Sequence, residues 1–230
     1  MAPTEEMWQR TGRILIAPSL LSADPLQVAA GAKRAQEAGA DLLHVDVMDG
    51  HFVPNLGFSP ATVSALKRES TLPVEVHLMV ERPEHFVPLF IRAGADIVVF
   101  HRETTAHAHR LLQEIRSSGR RGGLAFAPST PVDDLPYVMD VLDLVVVMGV
   151  DPGFSGGAFV PSTEEKVREV HSIVAKTPVR VGVDGGVGPE TAGPLVEAGA
   201  NLLVSGSHFF STPDPAEAVR ILRSAAGHQI

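Results

Sequence analysis

The stretch AGADLLHVDVM (38–48) joins the end of a helical pattern to the start of a strand. Residues 24–38 have a helical period, and Gly39 can take the left-handed conformation that stops a helix. Beyond it, Leu42-Leu43-His44-Val45-Asp46-Val47-Met48 is short and mostly apolar on both faces. That is the pattern of a strand buried on both sides, as in a parallel sheet covered by helices. The junction recurs as Ala93-Gly94-Ala95-Asp96 and as Ala198-Gly199-Ala200-Asn201. The first recurrence lies about two units on and the second about four units beyond that, with a unit of about 27 residues.

Outward from this stretch, eight apolar runs read as strands: 13–19, 42–48, 73–80, 95–101, 122–128, 142–150, 178–186 and 200–207. Their Val and Ile content and short length argue against helix. Helices are expected between them, roughly at 24–38, 59–69, 83–93, 104–118, 132–140, 162–176, 188–198 and 213–226. Several open on a cap-type residue or a proline, as at Ser59-Pro60, Ser129-Thr130-Pro131 and Thr212-Pro213. Eight strand–helix units predict an α/β fold, a single (β/α)8 TIM barrel over 1–230, with 1–12 as a loose N-terminal tail. A doubly wound open sheet would want a Gly-rich loop after the first strand. That strand instead ends Ala17-Pro18-Ser19.

Composition narrows the chemistry. The 230 residues contain no Cys, which excludes disulfides, thiolate metal sites and a Cys nucleophile. Any metal must be held by His and carboxylates. A formal charge of −8 with no basic run argues against nucleic acid. No stretch reads as a signal peptide or a membrane span, so a cytoplasmic setting without a membrane partner is expected. The only lysines, Lys33, Lys67, Lys166 and Lys176, all fall in helix candidates.

Barrel enzymes place their chemistry at the C-terminal ends of the strands. The second run offers His44, Asp46 and Met48, spaced by two and so on one side of the strand. The third offers His77 and Met79, the sixth Met148, the seventh Asp184 and the first Ser19. One buried His is usually a hydrogen-bonded core residue. Two His and two Asp on one rim are expensive as filler and point to a metal or acid–base site. Such an N2O2 set suits one divalent ion, Zn, Fe(II), Mn or Co. Asp46 and Asp184 can face one another across the barrel mouth. One could remove a proton from a substrate carbon and the other return one to the opposite face, beside a cation that stabilises the oxyanion. Met48, Met79 and Met148 would line the site without offering protons, although core Met is the commoner role.

Gly185-Gly186 and Gly206-Ser207 follow the seventh and eighth strands, where barrels often hold phosphate. The sixth strand leads into Asp151-Pro152-Gly153-Phe154-Ser155-Gly156-Gly157, flexible enough to close over a ligand. His107 and His109 read as solvated helix residues, and His85, His171 and His228 as surface. Asp49, Gly50 and His51 are expected to shape the loop after the second strand. His101 and Glu103 end the fourth strand and could support the site from behind.

IAPSLLSAD (16–24), LHVDVMDGHFVPN (43–55), VEVHLMVERPE (74–84), DPGFSGGAF (151–159), VDGGVGPET (183–191) and AGANLLVSGSHFF (198–210) together resemble the ribulose-phosphate 3-epimerase family. These are metal-dependent (β/α)8 barrels of the pentose phosphate pathway. The resemblance implies that His44, Asp46, His77 and Asp184 hold the metal. It implies that Asp46 accepts and Asp184 donates the proton at C3, through a metal-stabilised enediolate. D-ribulose 5-phosphate and D-xylulose 5-phosphate would be interconverted. Ser19 and His77 would contact the ketose phosphate, and Gly153, Phe154, Ser155, Gly156, Asp184, Gly185, Gly186, Gly206 and Ser207 would hold it. Met48, Met79 and Met148 would sit beside the reacting carbon. The resemblance also implies a homo-oligomer.

The sixth loop departs from the family's common Asn-Pro-Gly-Phe-Gly-Gly-Gln at Asp151, Ser155 and Gly157. The related D-allulose-6-phosphate 3-epimerase shares Asp-Pro-Gly-Phe and the run at 49–56, and is the alternative. Gly185-Gly186 is closer to the pentose enzyme. Related barrel decarboxylases use Asp-x-Lys-x-x-Asp, whereas Asp46-Val47-Met48-Asp49 has no lysine. A Schiff-base enzyme would need an amine in the site. A non-catalytic sugar-phosphate binder would be expected to have lost a carboxylate.

Overall fold

The computed structural model describes residues 7–8 and 12–224. Its strands are β1 (Leu15–Pro18), β2 (Leu43–Met48), β3 (Val74–Met79), β4 (Ile97–His101), β5 (Arg121–Phe126), β6 (Leu144–Met148), β7 (Arg180–Asp184) and β8 (Leu202–Ser205). Between and after them lie α1 (Val28–Glu37), α2 (Pro60–Glu69), α3 (Pro83–Ala93), α4 (Ala108–Ser117), α5 (Thr163–Val174), α6 (Pro189–Glu197), α7 (Ser207–Ser211) and α8 (Pro215–Ser224). All seven ladders are parallel, in the order β1-β8-β7-β6-β5-β4-β3-β2. The ring closes between β1 and β2 through a parallel bridge from Ser19 to His44 and a 2.9 Å bond from Asp41 N to Ile16 O. This is the expected (β/α)8 barrel.

Strand alternation sorts the side chains. Val45, Val76, Val98, Val147 and Val183 face the helices and join the large outer core. Burying each such side chain contributes about 1.5–3 kcal/mol relative to leaving it exposed. Leu15, Ala17, Ile97, Val99, Ala125, Val146, Leu202 and Val204 fill the barrel interior. The interior face of β2 therefore carries His44, Asp46 and Met48, and that of β3 carries Glu75, His77 and Met79. Register sets Asp46 beside His77 and Met48 beside Met79.

The repeated junction has a structural cause. Asp41, Asp96 and Asn201 each precede an even-numbered strand, and each side chain accepts from an N–H near the start of the preceding odd one. The donors are Ile16 N at 2.9 Å, Val74 N at 2.8 Å and Val181 N at 3.1 Å. Asp143 does the same for Gly122 N at 3.1 Å, without the Ala-Gly-Ala lead. Each bond satisfies a backbone donor at the floor of the barrel, where an unpaired one would be costly. This explains a repeat of two units rather than one.

The helix expected over 132–140 does not form. Only a short 3-10 turn, Leu135–Tyr137, occurs there. Pro136 has no N–H to donate and disfavours α conformation at Leu135. Val132, Leu135, Val138 and Val141 still bury their side chains, so the segment packs as a loop. The helix expected over 213–226 is preceded by the separate short α7.

Of the tail expected over 1–12, residues 1–6 and 9–11 lie outside the described residues. Met7 and Trp8 are buried within the interior cluster. Arg180 Nη2 donates to Trp8 O at 3.0 Å, and the guanidinium carbons of Arg121 and Arg180 lie 4.7 and 5.3 Å from the Trp8 ring centroid. This pair thus packs at the strand-start end of the barrel, opposite the site.

Candidate active site

Closing the barrel brings four side chains from three strands together. One donor atom each from His44, Asp46, His77 and Asp184 lies within 4.8 Å of the others, and all four residues are buried. His44 Nε2 is 3.3 Å from Asp46 Oδ1 and 3.5 Å from Asp184 Oδ2. His77 Nδ1 is 3.7 and 3.2 Å from the same two atoms. The carboxylates come from β2 and β7, with β1 and β8 between them.

Burial disfavours charge on His44, but Asp46, Asp184 and Glu75 outweigh it and hold its pKa well above the ordinary imidazole value. For His77 burial also opposes charge, and the Asp184 and Asp46 carboxylates facing its Nδ1 again raise the pKa. Burial would raise Asp46 and Asp184, yet His44 and His77 pull both below the carboxylate range. The carboxylate pair therefore draws positive charge into this layer. Protons on the imidazoles or one divalent cation can supply it.

The donor set fits a cation. His44 Nε2 and His77 Nδ1 are buried without a hydrogen-bond partner of good geometry, although both face carboxylate oxygens. Buried ring nitrogens left in that state are costly, and a metal ion satisfies them.

Each histidine is backed on its far side. His44 Nδ1 is 3.4 Å from Glu75 Oε1, a carboxylate fully buried inside the barrel. His77 Nε2 is 3.0 Å from His101 Nε2, and His101 Nδ1 is 3.1 Å from Glu103 Oε2. Burial lowers the pKa of His101 despite Glu103. Burial pushes Glu103 up, but bonds with His101, Thr130 and Ala127 hold its pKa down at about 2. Glu75 was not among the residues expected from sequence. The signal lay in its position two before His77, a charge in an otherwise apolar run.

Above this layer opens a cavity at the barrel mouth. Asp46 and Asp184 lie on its floor with Met48, Met79 and Met148 on its walls. Gly185, Gly186, Gly206 and Ser207 line one side, and Gly153, Phe154, Ser155 and Gly156 the rim. Gly185 and Gly186 have φ of +97° and +69°, the left-handed region, and any Cβ there would strike Val150 and Phe159. The sequence therefore brings glycine backbone to the cavity where side chains cannot go. Ser19 also lines the cavity, and its hydroxyl donates to Asp46 Oδ2 at 2.7 Å. His44 and His77 do not reach the cavity wall. His77, expected to touch substrate as well, is fully buried behind the two carboxylates.

Two residues not expected from sequence, Asn55 and Ser22, hold the rim. Asn55 Nδ2 donates to Gly153 O at 2.9 Å, and the Ser22 and Ser155 hydroxyls are 2.7 Å apart. Asp49 shapes its loop as expected. It accepts from His51 N at 2.9 Å and Phe52 N at 3.0 Å, and its other oxygen accepts from Glu81 N at 2.8 Å. Lys33, Lys67 and Lys166 lie on helices, and Lys176 follows α5. None lines the cavity. No helix among the described residues is long and apolar enough to cross a membrane.

A parallel barrel with paired carboxylates and imidazoles under a glycine-edged cavity defines an acid–base barrel enzyme with a centre that can hold a metal. The chain belongs to the ribulose-phosphate 3-epimerase family, whose profile matches residues 15–210. A ribulose-phosphate 3-epimerase of Bacillus subtilis is 43% identical over 92% of this chain and 99% of its own. One from Escherichia coli K12 is 44% identical over 91% and 95%, and a chloroplastic ribulose-5-phosphate-3-epimerase of Arabidopsis thaliana 43% over 92% and 77%. Solved structures share the fold at low identity. A 3-keto-L-gulonate-6-phosphate decarboxylase of Vibrio cholerae matches with TM-score 0.69 and 13% identity over 94% of this chain and 97% of that one. A 3-hexulose-6-phosphate synthase matches with TM-score 0.63 and 17% identity over 92% and 99%.

Proposed function

We propose that this chain interconverts D-ribulose 5-phosphate and D-xylulose 5-phosphate by proton transfer at C3. The observation that carries the reading is the pairing of Asp46 and Asp184, on well-separated strands, at the floor of one cavity. The names of the curated relatives, at 43–44% identity over most of the chain, support the substrate pair.

Asp46 removes the proton from C3, which is acidified by the neighbouring carbonyl. The Ser19 hydroxyl holds Asp46 Oδ2 in place. Asp184 returns a proton to the opposite face, which inverts the centre. His44, Asp46, His77 and Asp184 would hold one divalent ion, with zinc, manganese, iron(II) and cobalt all suited to two nitrogens and two oxygens. When bound, the ion supplies Lewis-acid stabilisation of the negative charge left by C3 deprotonation. Met48, Met79 and Met148 keep water from the planar intermediate while offering no proton.

The phosphate lies against the backbone N–H groups of Gly185, Gly186, Gly206 and Ser207. Gly153, Phe154, Ser155 and Gly156 form the closing edge. The single barrel acts as a homo-oligomer, which light scattering checks. Turnover of ribulose 5-phosphate is measured against allulose 6-phosphate, with the bound metal assayed on the same sample. Metal-loaded protein that does not turn over ribulose 5-phosphate would overturn the proposal. A clear preference for the hexulose would replace its substrate.

A further inference from the structure

We infer that Glu103 and His101 form a positioning relay that fixes which nitrogen of His77 is free to bind the metal. The inference rests on the metal reading of the His44, Asp46, His77 and Asp184 cluster, and adds residues to which that reading gives no role.

At the rim, Glu103 faces donors whose direction is fixed. Ala127 N, which can only donate, lies 2.7 Å from Glu103 Oε1, and the Thr130 hydroxyl donates to the same oxygen at 2.5 Å. Glu103 Oε2 is left for His101 Nδ1 at 3.1 Å. A carboxylate only accepts, so the proton of neutral His101 must sit on Nδ1. His101 Nε2 is then a bare acceptor. Facing it at 3.0 Å is His77 Nε2, which must donate. Neutral His77 spends its one proton there, and Nδ1 is left with its lone pair toward Asp46 and Asp184.

Ring geometry agrees with this chain of bonds. The His77 and His101 planes differ by 17° and their centroids are 5.1 Å apart. With 3.0 Å between the nitrogens, the rings meet edge to edge, so the N–H points along the neighbour's lone pair. His101 is fully buried, and the Phe52 ring lies over it at 4.8 Å. Water cannot readily replace a partner in such a place, and the polarity set at Glu103 passes inward intact.

Partners of this kind behind metal-binding imidazoles commonly change metal affinity by about 10–100-fold when removed. Here the relay makes a more specific demand. In Glu103→Gln the amide oxygen still serves Ala127 N, so the NH2 group is turned toward His101 Nδ1. That reverses the two imidazole bonds, at His101 Nδ1 and between His101 and His77. His101 Nε2 becomes the donor, and the His77 proton is pushed onto Nδ1, the atom the metal needs. Glu103→Ala only removes the constraint.

The test is metal titration of the metal-free protein with Co(II), read by chelator competition, for wild type, Glu103→Gln and Glu103→Ala. Long-range 15N–1H spectra of the histidine rings in the zinc-loaded protein accompany it. The expected result is affinity loss of about 10–100-fold in Glu103→Gln, exceeding that in Glu103→Ala. Wild-type spectra should show protons on His77 Nε2 and His101 Nδ1. A residue that only packs the loop gives the opposite order, because glutamine keeps the shape and alanine does not. That order, equal affinities in all three proteins, or a proton on His77 Nδ1 in the loaded wild type overturns the relay. Wild type that takes up no metal overturns the metal reading instead, and the relay with it.

Discussion

The Ser19 hydroxyl donates to Asp46 Oδ2 at 2.7 Å across the seam where β1 meets β2. The other Asp46 oxygen faces His44 and His77, so the carboxylate is held from both sides. A hydrogen bond to a charged group contributes roughly 1.5–3 kcal/mol. Ser19→Ala should lower kcat/KM by about 10–100-fold, at 1.4 kcal/mol per factor of ten. Steady-state kinetics with ribulose 5-phosphate measures it. Unchanged kinetics would mean that Asp46 does not depend on this bond.

Asp46→Asn and Asp184→Asn each remove a proton-transfer group and a cluster charge. Loss of a general acid or base alone costs about 100-fold or more. Both variants should fall at least that far, with deuterium uptake at C3 in heavy water lost in Asp46→Asn. His107, exposed at the start of α4, is the control, and His107→Ala should retain full activity. Near-full turnover by Asp184→Asn would refute the two-carboxylate assignment.

Asn55 ties the loop after β2 to the loop after β6 through Gly153 O. Gly153 has a φ of +122° and a Cβ there would meet Val53 at 3.0 Å. The loop is thus shaped by close approach and pinned by one amide. Asn55→Ala removes a bond of about 1 kcal/mol. It should raise KM several-fold, with kcat changing alongside if closure limits turnover. An unaltered KM would show that the rim is held without Asn55.

Glu103 gives a pH signature. Its pKa is about 2 in the folded chain, below the ordinary 4.5. A depressed carboxylate contributes stability that is complete above the unfolded value and lost as pH falls through the folded one. Wild type should therefore exceed Glu103→Gln in urea-unfolding stability at neutral pH, with the gap narrowing between about pH 4.5 and 2. A gap that stays constant across that window would mean the carboxylate charge is not what stabilises the loop.

Much of the site was legible because strand alternation is local. His44, Asp46 and Met48 share a face through a period of two, and the strand places that face inward. Glu75 obeys the same rule, but one charge in an apolar run gives no sign of a partner until the strands pair. The helix expected over 132–140 failed because Pro136 outweighed the apolar period of Val132, Leu135 and Val138. The roles of Ser22 and Asn55 could not be read locally, since each depends on a partner about a hundred residues or more away.

Residue order alone establishes eight buried strands, the glycines that end the helices and the polar residues each strand carries inward. Those follow from periods of two and 3.6 residues and from the cost of burying charge. Closure of the ring decides which atoms meet. It sets Ser19 on Asp46, leaves the metal-facing nitrogens of His44 and His77 without a hydrogen bond, and seats His101 between His77 and Glu103. Such contacts depend on strand register and barrel curvature, which arise only when all eight strands pack at once.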